Sequence, residues 1–286
     1  MTLRIPRRII QTGKSLDLSI LEKAAVANVR LLNPDFEYLF FDDKQVEEFI
    51  DSQFPEYLSV FHSFRFHISK YDFFRYLAIY HFGGFYLDLD VFLATGLADL
   101  LDYGCVFSFE ELNVCDYLRN EYGMDWSIGN YAFGAAAGHP FMQAVIQNCV
   151  RAQRDPGWVE PMMRSIPRMF RDREYVLYAS APGLVTRTLA EYADAAEQVK
   201  VLFPENVCDS AYWYRFGEFG VHLMKGNWRK RGGFLRMALY NLWLSRIEKK
   251  FFKDSHDKTL LLIYYACLEY YCSWYGKRRK GICRNS

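Results

Sequence analysis

The stretch Gly83-Gly84-Phe85-Tyr86-Leu87-Asp88-Leu89-Asp90 sets two carboxylates two positions apart inside an apolar run. The whole run, 82–92, is otherwise apolar and predicts a largely buried strand. Side chains alternate across a strand, so Asp88 and Asp90 are expected to point the same way. An ionised carboxylate is costly to bury without a partner, and Mg²⁺ or Mn²⁺ prefers oxygen ligands. The pair therefore predicts a metal site that also accepts a phosphate.

An isolated Asp-x-Asp also has an ordinary interpretation, because most such pairs are turn or edge residues without a metal. The flanking sequence favours the metal site here. Gly83-Gly84 comes directly before the strand, and glycine permits positive φ and the close approach of a ligand or a second segment.

Composition favours a large α/β domain. The chain has 286 residues, of which 51% are hydrophobic and 18% aromatic, so it can bury a sizeable core and stack on ring-shaped ligands. The net charge of +1 hides a strong polarity: residues 225–286 carry +11 and residues 1–224 carry −10. We expect two domains, a catalytic one over 1–232 and a helical, basic and aromatic extension over 233–286.

The cysteines and the chain start predict a reducing compartment. Seven cysteines are scattered without a CxxC pair, which argues against a disulfide framework or a zinc site. The first residues lack the apolar core of a signal peptide, and no segment has the charge-free length of a membrane span. The expected location is cytoplasmic.

Strands and helices alternate along the first half of the chain, which predicts a mainly parallel sheet flanked by helices. The strands are expected at 5–11, 36–41, 82–92 and 106–109, and the helices at 19–32, 69–81 and 141–150. Ligands of such sheets bind at the carboxyl ends of the strands. Gln11-Thr12-Gly13, Asp42-Asp43 and Asp88-Leu89-Asp90 would meet there.

The segment Lys70-Tyr71-Asp72-Phe73-Phe74-Arg75-Tyr76 places Asp72 and Arg75 three residues apart on one helical face. One interpretation is a surface ion pair that contributes little to stability. The other is a buried pair that binds sugar hydroxyls, which the apolar neighbours allow. The residues alone leave both open.

Together these motifs identify a family. The chain resembles the Asp-x-Asp glycosyltransferases of the Och1-like, capsular-polysaccharide group, glycosyltransferase family 32. The resemblance covers about residues 4–230 and is carried by 5–12, Asn33-Pro34 with 41–43, 69–76, 80–90, 130–140, 181–183, and His222 with 226–228.

The resemblance implies a GT-A fold with a Rossmann-like nucleotide-binding sheet. It also implies a metal-dependent transfer of a hexose from a UDP- or GDP-sugar, with Mn²⁺ or Mg²⁺ as the metal. Members of this group typically retain the anomeric configuration. A front-face attack or a carboxylate nucleophile would achieve this, and the sequence shows no clear second carboxylate for the latter.

The resemblance also assigns site residues. Gln11 and Thr12 would contact the nucleotide, Asp72 and Arg75 would grip donor hydroxyls, and Asn130 would join the donor site. Asp88 would face the ribose and the metal, Asp90 would be the main metal ligand, and His222 and Trp228 would close the site. Two departures stand out: Gly13 replaces a common tryptophan, and Asn227 replaces a serine before Trp228.

The basic extension has two open interpretations: helical packing on the core, or a peripheral contact with anionic lipid on the inner face of the cytoplasmic membrane. Nucleic acid is not expected as a partner, since nothing resembles a recognition motif. The leading hypothesis is a glycosyltransferase that builds surface glycan or capsule on a glycan or lipid-linked acceptor. The alternatives are a toxin-type enzyme that modifies a host protein and a non-catalytic glycan- or membrane-binding scaffold.

Overall fold

The computed structural model describes residues 4–192 and 198–224. All of them lie in the first of two units, Met1–Gly233, and the second unit is Phe234–Ser286. The predicted extension and Trp228 fall outside the described residues, so the domain boundary at 232/233 stays a prediction.

Nine strands and nine α-helices are present within the described part of the chain. The strands are β1 (Arg8–Thr12), β2 (Glu37–Phe41), β3 (Gly84–Leu87), β4 (Val91–Leu93), β5 (Cys105–Leu112), β6 (Trp126–Ala135), β7 (Lys200–Leu202), β8 (Arg215–Phe216) and β9 (Gly220–His222). The helices are α1 (Ile20–Leu32), α2 (Asp43–Gln53), α3 (Leu58–Ser63), α4 (His67–Phe82), α5 (Asp116–Tyr122), α6 (Pro140–Arg154), α7 (Pro156–Met163), α8 (Arg171–Ala179) and α9 (Pro182–Glu191). None of these helices has both the length and the apolar character that a membrane crossing requires.

The main sheet has six strands in the order β2-β1-β3-β6-β5-β7. Neighbouring strands run parallel except where β6 pairs with β3 and with β5. The rings of Tyr86, Phe133 and Phe107 lie next to one another across β3, β6 and β5, and the last two stack at 4.9 Å. The predicted α/β class, with a mainly parallel sheet flanked by helices, is confirmed.

The central strand β6 was not predicted as a strand, because its sequence is rich in glycine and alanine. The reason for these residues is space. A Cβ on Gly134 would lie 2.5 Å from the Phe85 ring on the neighbouring strand. Small residues in β6 therefore make room for the aromatic side chains of β3.

Helix α4 leads into β3 through Gly83 and Gly84. Nine of its residues are buried, including Asp72 and Arg75, so the helix is enclosed on most sides. Gly83 has φ +66° and Gly84 has φ +107°, which are left-handed conformations that favour glycine. This junction turns the chain from the helix into the strand that precedes Asp88.

The expected single strand over 82–92 is broken in the structure. Strand β3 ends at Leu87, and after a short turn the chain enters β4, which belongs to a second sheet with the order β4-β9-β8. The prediction of one continuous strand was wrong because apolar periodicity does not show where a buried chain changes sheets.

Candidate functional site

Asp88 and Asp90 flank the turn that joins the two sheets. The Asp88 amide donates to the Tyr131 carbonyl at 2.8 Å, and the Val91 amide donates back to the Asp88 carbonyl at 3.0 Å. The carboxylates are therefore presented by a hydrogen-bonded turn and not by a strand face.

The three predicted metal ligands come together at this turn. One ligand atom from each of Asp88, Asp90 and His222 lies within 4.8 Å of the others. Strand pairing explains the arrangement: β9 runs antiparallel to β4 and sets His222 opposite Val91. The Leu223 amide also donates to the Asp90 carbonyl at 3.0 Å. The side chains remain open to solvent in part, at 26% for Asp88, 17% for Asp90 and 16% for His222.

His222 is held by its ring as well as by its backbone. The imidazole stacks on Tyr131 with the centroids 4.4 Å apart and the planes 18° from parallel. Its Nε2 lies 3.1 Å from Asp90 Oδ1, and its buried Nδ1 has no hydrogen-bond partner within the described residues. The nitrogen that faces the carboxylates is thus the one available to a cation.

One oxygen of Asp88 is engaged by the protein. Oδ1 accepts a hydrogen bond from the Tyr86 hydroxyl at 3.1 Å and lies 3.3 Å from Arg75 Nη1. Tyr86 is itself fixed by Thr12, whose Oγ1 is 3.0 Å from the phenol oxygen. Burial raises the pKa of Asp88, while the Arg75 charge opposes that rise. The arrangement leaves Oδ2 as the oxygen of Asp88 that is free to meet a ligand.

Gln11 fixes the backbone of the same turn. Its Nε2 donates to the carbonyls of Leu87 and Asp88 at 3.2 and 3.4 Å, and its Oε1 accepts from the Tyr38 hydroxyl at 3.0 Å. The side chain is fully buried. Gln11 thus lies at the predicted site, but its amide is engaged in positioning the turn, so a nucleotide contact from this residue stays a prediction.

Asp72, Arg75 and Asn130 form a buried network behind the turn. Asn130 Nδ2 donates to Asp72 Oδ1 at 3.0 Å, the Ser180 hydroxyl donates to Oδ2 at 2.9 Å, and Arg75 Nη1 donates to the Asn130 carbonyl at 2.7 Å. Burial raises the pKa of Asp72 to about 6, and the Arg75 charge opposes the rise.

This network decides between the two interpretations of the Asp72–Arg75 pair. Both side chains are at most 4% exposed, so the surface pair is ruled out. Both Asp72 oxygens accept hydrogen bonds from inside the protein, and Arg75 lies over the Tyr86 ring at 4.5 Å. In this structure the pair supports the Asp88 turn, and its direct contact with a sugar stays a prediction.

Sequence reasoning missed Tyr86, Tyr131 and Ser180. Tyr86 carried a usable signal, because it precedes Asp88 by two residues and so shares its side of the chain. Tyr131 and Ser180 come from β6 and from the end of α8, far away in the sequence. No local pattern marked them.

Gly13 follows the site residues of β1 in a tightly packed position. A Cβ at Gly13 would lie 3.0 Å from Leu89 of the acidic turn and 3.0 Å from Phe40. A tryptophan at this position would require both side chains to move. Glycine at position 13, where the family commonly has tryptophan, therefore agrees with the tight packing around it.

Asp88, Asp90 and His222 fit a divalent cation. Ligand atoms at about 2.2 Å from one ion lie at most about 4.4 Å apart, so the observed separations close after shifts of a few tenths of an ångström. Arg75 lies 3.4 Å from Asp72 and 3.3 Å from Asp88, so its single positive charge is shared between them and offsets only part of the charge of the three carboxylates. Two carboxylates with one imidazole suit Mn²⁺ and related ions.

Part of this site lies in a region that matches a known protein family. Residues 20–107 match the family described as glycosyltransferase sugar-binding region containing DXD motif. The match includes Asp72, Arg75, Asp88 and Asp90.

The chain is similar to fungal mannosyltransferases. It is 33% identical to inositol phosphoceramide mannosyltransferase 3 of Schizosaccharomyces pombe, over 51% of this chain and 38% of that protein. It is 28% identical to mannosyl phosphorylinositol ceramide synthase SUR1 of Saccharomyces cerevisiae, over 56% of this chain and 38% of that protein. The matches thus span about two fifths of the length of these relatives.

Solved glycosyltransferases resemble the chain distantly. The UDP-bound glycosyltransferase domain of the YGT toxin has a TM-score of 0.47 at 8% identity, covering 91% of this chain and 95% of that one. Galactosyltransferase LgtC with donor and acceptor sugar analogues has 0.41 at 14%, covering 83% and 95%. The fold assignment rests on the sheet order of this chain. The predicted resemblance to the DXD glycosyltransferases of the Och1-like family 32 is confirmed by the matched sugar-binding region with its DXD motif and by the similarity to the fungal mannosyltransferases.

Proposed function

We propose that the chain is a metal-dependent, retaining glycosyltransferase that transfers a hexose from a UDP- or GDP-sugar to a glycan or lipid-linked acceptor. The observation that carries the proposal is the convergence of Asp88, Asp90 and His222 within 4.8 Å. Asp88 and Asp90 belong to the matched sugar-binding region, and His222 comes from a later part of the sequence. The carboxylate pair follows the carboxyl end of β3, and α/β sheets bind nucleotides at the carboxyl ends of their strands.

The charges of the site suit this chemistry. Transfer breaks the bond between the anomeric carbon and the β-phosphate oxygen, forms the bond to an acceptor hydroxyl oxygen, and releases a nucleoside diphosphate together with the proton of that hydroxyl. A divalent ion on Asp88, Asp90 and His222 would supply a Lewis acid that offsets the charge on that leaving group. The protein fixes Asp88 in advance through Tyr86, Arg75 and Gln11, so this ligand needs little reorganisation during the reaction.

The relatives suggest the chemical class of the acceptor and the sugar. One is named an inositol phosphoceramide mannosyltransferase and the other a mannosyl phosphorylinositol ceramide synthase. We therefore favour mannose as the hexose and a glycolipid as the acceptor, in the assembly of a surface glycan or capsule. A cytoplasmic location, at the inner face of the cytoplasmic membrane, suits a lipid acceptor.

The experiment is a donor screen. The full chain is incubated with Mn²⁺ and GDP-mannose, UDP-glucose or UDP-galactose, and both hydrolysis and transfer to extracted glycolipids are measured. One donor should be consumed in an Mn²⁺-dependent manner, and NMR of the product should show the donor's anomeric configuration.

Two variants make the screen decisive. Asp90→Asn should lose at least about a hundredfold in rate, as is typical for the removal of an electrostatic catalytic group. Asp51→Asn, an exposed aspartate on α2, should be unchanged. Equal rates in the two variants would refute the metal role. Absence of turnover together with absence of Mn²⁺-dependent nucleoside diphosphate binding would favour the scaffold.

A further inference from the structure

The outward side of α1 is apolar and basic. Its exposed residues are Ile20, Lys23, Ala24, Ala27, Arg30, Leu31 and Leu32, and Leu16 of the preceding loop is also exposed. We call this set the α1 face. Ile20 is 89% exposed, Leu31 79% and Leu16 74%, the three largest exposures among the large apolar residues of the described chain. A surface helix ordinarily turns polar residues outward, so the α1 face needs an explanation.

The helix is firmly seated, so the exposure is not caused by a loose element. Ala25 and Val29 are fully buried on the inner side. The Asn28 side chain bonds both backbone groups of Leu93, accepting from its amide at 2.7 Å and donating to its carbonyl at 3.1 Å. A capping box between Ser19 and Glu22 closes the first turn. These contacts fix which side faces outward.

The spacing of the apolar residues forms a narrow stripe. Ile20, Ala24, Ala27 and Leu31 follow one another at intervals of four, three and four residues, which keeps them on one line along the helix. The stripe lies opposite the buried positions Ala25 and Val29. It therefore occupies the part of α1 most remote from the core.

The charged residues of the α1 face are both basic. Lys23 and Arg30 are its only charged members, and both lie beside the stripe. Glu22 is half-buried and its carboxylate accepts the Ser19 amide at 2.7 Å, inside the capping box. In the preceding loop the exposed Lys14 and Asp17 offset each other.

We propose that the α1 face binds a membrane surface that contains anionic lipid. An apolar stripe flanked by basic residues is the pattern of a helix that lies in the plane of a membrane interface. Lys23 and Arg30 would meet anionic headgroups while Ile20 and Leu31 enter the boundary of the acyl chains. A second copy of this chain is the weaker candidate, because two α1 faces would bring like charges together.

The position of the face suits a lipid-facing site. The loop that carries Leu16 leaves β1 directly after Thr12, and Gly13 packs against Leu89 of the acidic turn. Contact through Leu16 and Ile20 would hold the end of the sheet that carries the metal ligands near the headgroups. The binding itself does not depend on catalysis.

The test is vesicle sedimentation of the full chain. Vesicles of phosphatidylcholine, with or without phosphatidylserine, are titrated and the bound fraction is measured. Wild type should bind the phosphatidylserine vesicles more tightly. The double variant Ile20→Ser with Leu31→Ser should bind about tenfold or more weaker, since two large apolar side chains no longer leave water. Lys23→Gln with Arg30→Gln should lose about fivefold per charge, and only on anionic vesicles.

Matched controls separate the face from general surface effects. Met169→Ser removes another exposed apolar residue and Lys44→Gln another exposed charge, and both should bind like wild type. Circular dichroism checks that each variant is folded. Wild-type binding by the Ile20/Leu31 variant would overturn the proposal and assign any lipid contact to other residues, such as 225–286. A dimeric wild type that becomes monomeric in that variant would instead show that a second copy covers the face.

Discussion

At the residue scale, Asp88 can offer a metal ion one carboxylate oxygen, Oδ2, rather than two. Its Oδ1 is engaged by Tyr86 and Arg75, and its backbone is fixed by Gln11 and Tyr131. A carboxylate that is oriented before the ion arrives loses less freedom on binding it, and partners of this kind commonly alter metal affinity by tenfold or more.

Tyr86→Phe tests this orientation. The variant removes a donor to Asp88 Oδ1 and keeps the ring that packs against Phe133. We expect Mn²⁺ affinity, measured by calorimetry, to fall about tenfold. The free energy of unfolding should fall by only about 1 kcal/mol.

The matched control is Tyr175→Phe, which removes a hydroxyl that donates to the Ala152 carbonyl on α6. It should show the same small loss of stability with unchanged Mn²⁺ affinity. Equal Mn²⁺ affinity in the two variants would mean that Tyr86 does not orient Asp88.

Asp72 should make stability depend on pH. Its pKa is raised to about 6 in the folded protein, so the folded state holds a proton that the unfolded chain releases near pH 4. The stabilising effect of that proton is complete below about pH 4 and is lost as the pH rises through about 6. Asp72→Asn lacks this titration. Between about pH 4 and about pH 6, its free energy of unfolding should therefore fall by about 2–3 kcal/mol less than that of the wild type.

Urea denaturation at a series of pH values measures this slope. The comparison uses slopes because Asp72→Asn also changes the partner of Arg75 at every pH. Asp51→Asn, which is exposed, should keep the wild-type slope. A slope in Asp72→Asn that matches wild type would show that Asp72 carries no such proton.

The sequence located the residues of the site better than it located their contacts. Asp88, Asp90 and His222 were predicted as metal ligands and the fold brings them together. The engagement of Gln11 by the turn could not be foreseen, because it depends on Tyr38 and on the carbonyl of Leu87. Local patterns indicate residue types, and only the three-dimensional packing decides which donor meets which acceptor.

At the element scale, the junction between α4 and β3 is constrained by the backbone of a neighbouring strand. A Cβ at Gly84 would lie 2.6 Å from the Arg8 carbonyl of the adjacent strand β1, which is backbone and cannot rotate away. Gly84→Ala should therefore lower the free energy of unfolding by more than about 3 kcal/mol, measured by urea denaturation.

Gly123→Ala is the control for backbone strain alone. Gly123 has φ +65° and nothing within 4 Å of the position of a Cβ, so the substitution should cost only about 1–2 kcal/mol. A similar cost at both positions would show that β1 yields to the added methyl group.

The elements also show where prediction from sequence succeeds. Helix α4 was predicted at 69–81 and extends over His67–Phe82, because its long apolar pattern leaves little choice. Strand β6 was not predicted, and the single strand predicted over 82–92 is two shorter strands, β3 and β4, in the structure. In both cases the deciding information lies on another strand: the Phe85 ring for β6, and the pairing with β9 for β4.

At the scale of the whole molecule, the acidic site should lower stability in the absence of metal. Asp88 and Asp90 lie close together, and two neighbouring carboxylates repel each other. Mn²⁺ at a hundred times its dissociation constant should stabilise the fold by about 2.7 kcal/mol, seen as a rise in Tm. Asp90→Asn should lose this rise while its Tm without metal stays equal to or above that of wild type.

A control for this measurement is the Gly123→Ala variant, which should keep the full Mn²⁺-dependent rise from a lower starting Tm. A rise in Asp90→Asn as large as in wild type would place the ion elsewhere in the chain.

The turn between β3 and β4 belongs to both sheets at once, and His222 reaches it from the small sheet alone. An ion on this set would therefore link the turn at the end of β3 to β9 of the small sheet through its ligands. Amide hydrogen exchange in β8 and β9 should then slow when the ion is present, while exchange in β1 and β2 stays the same. The protection of a few backbone amides in the small sheet would report the occupancy of the site without any substrate.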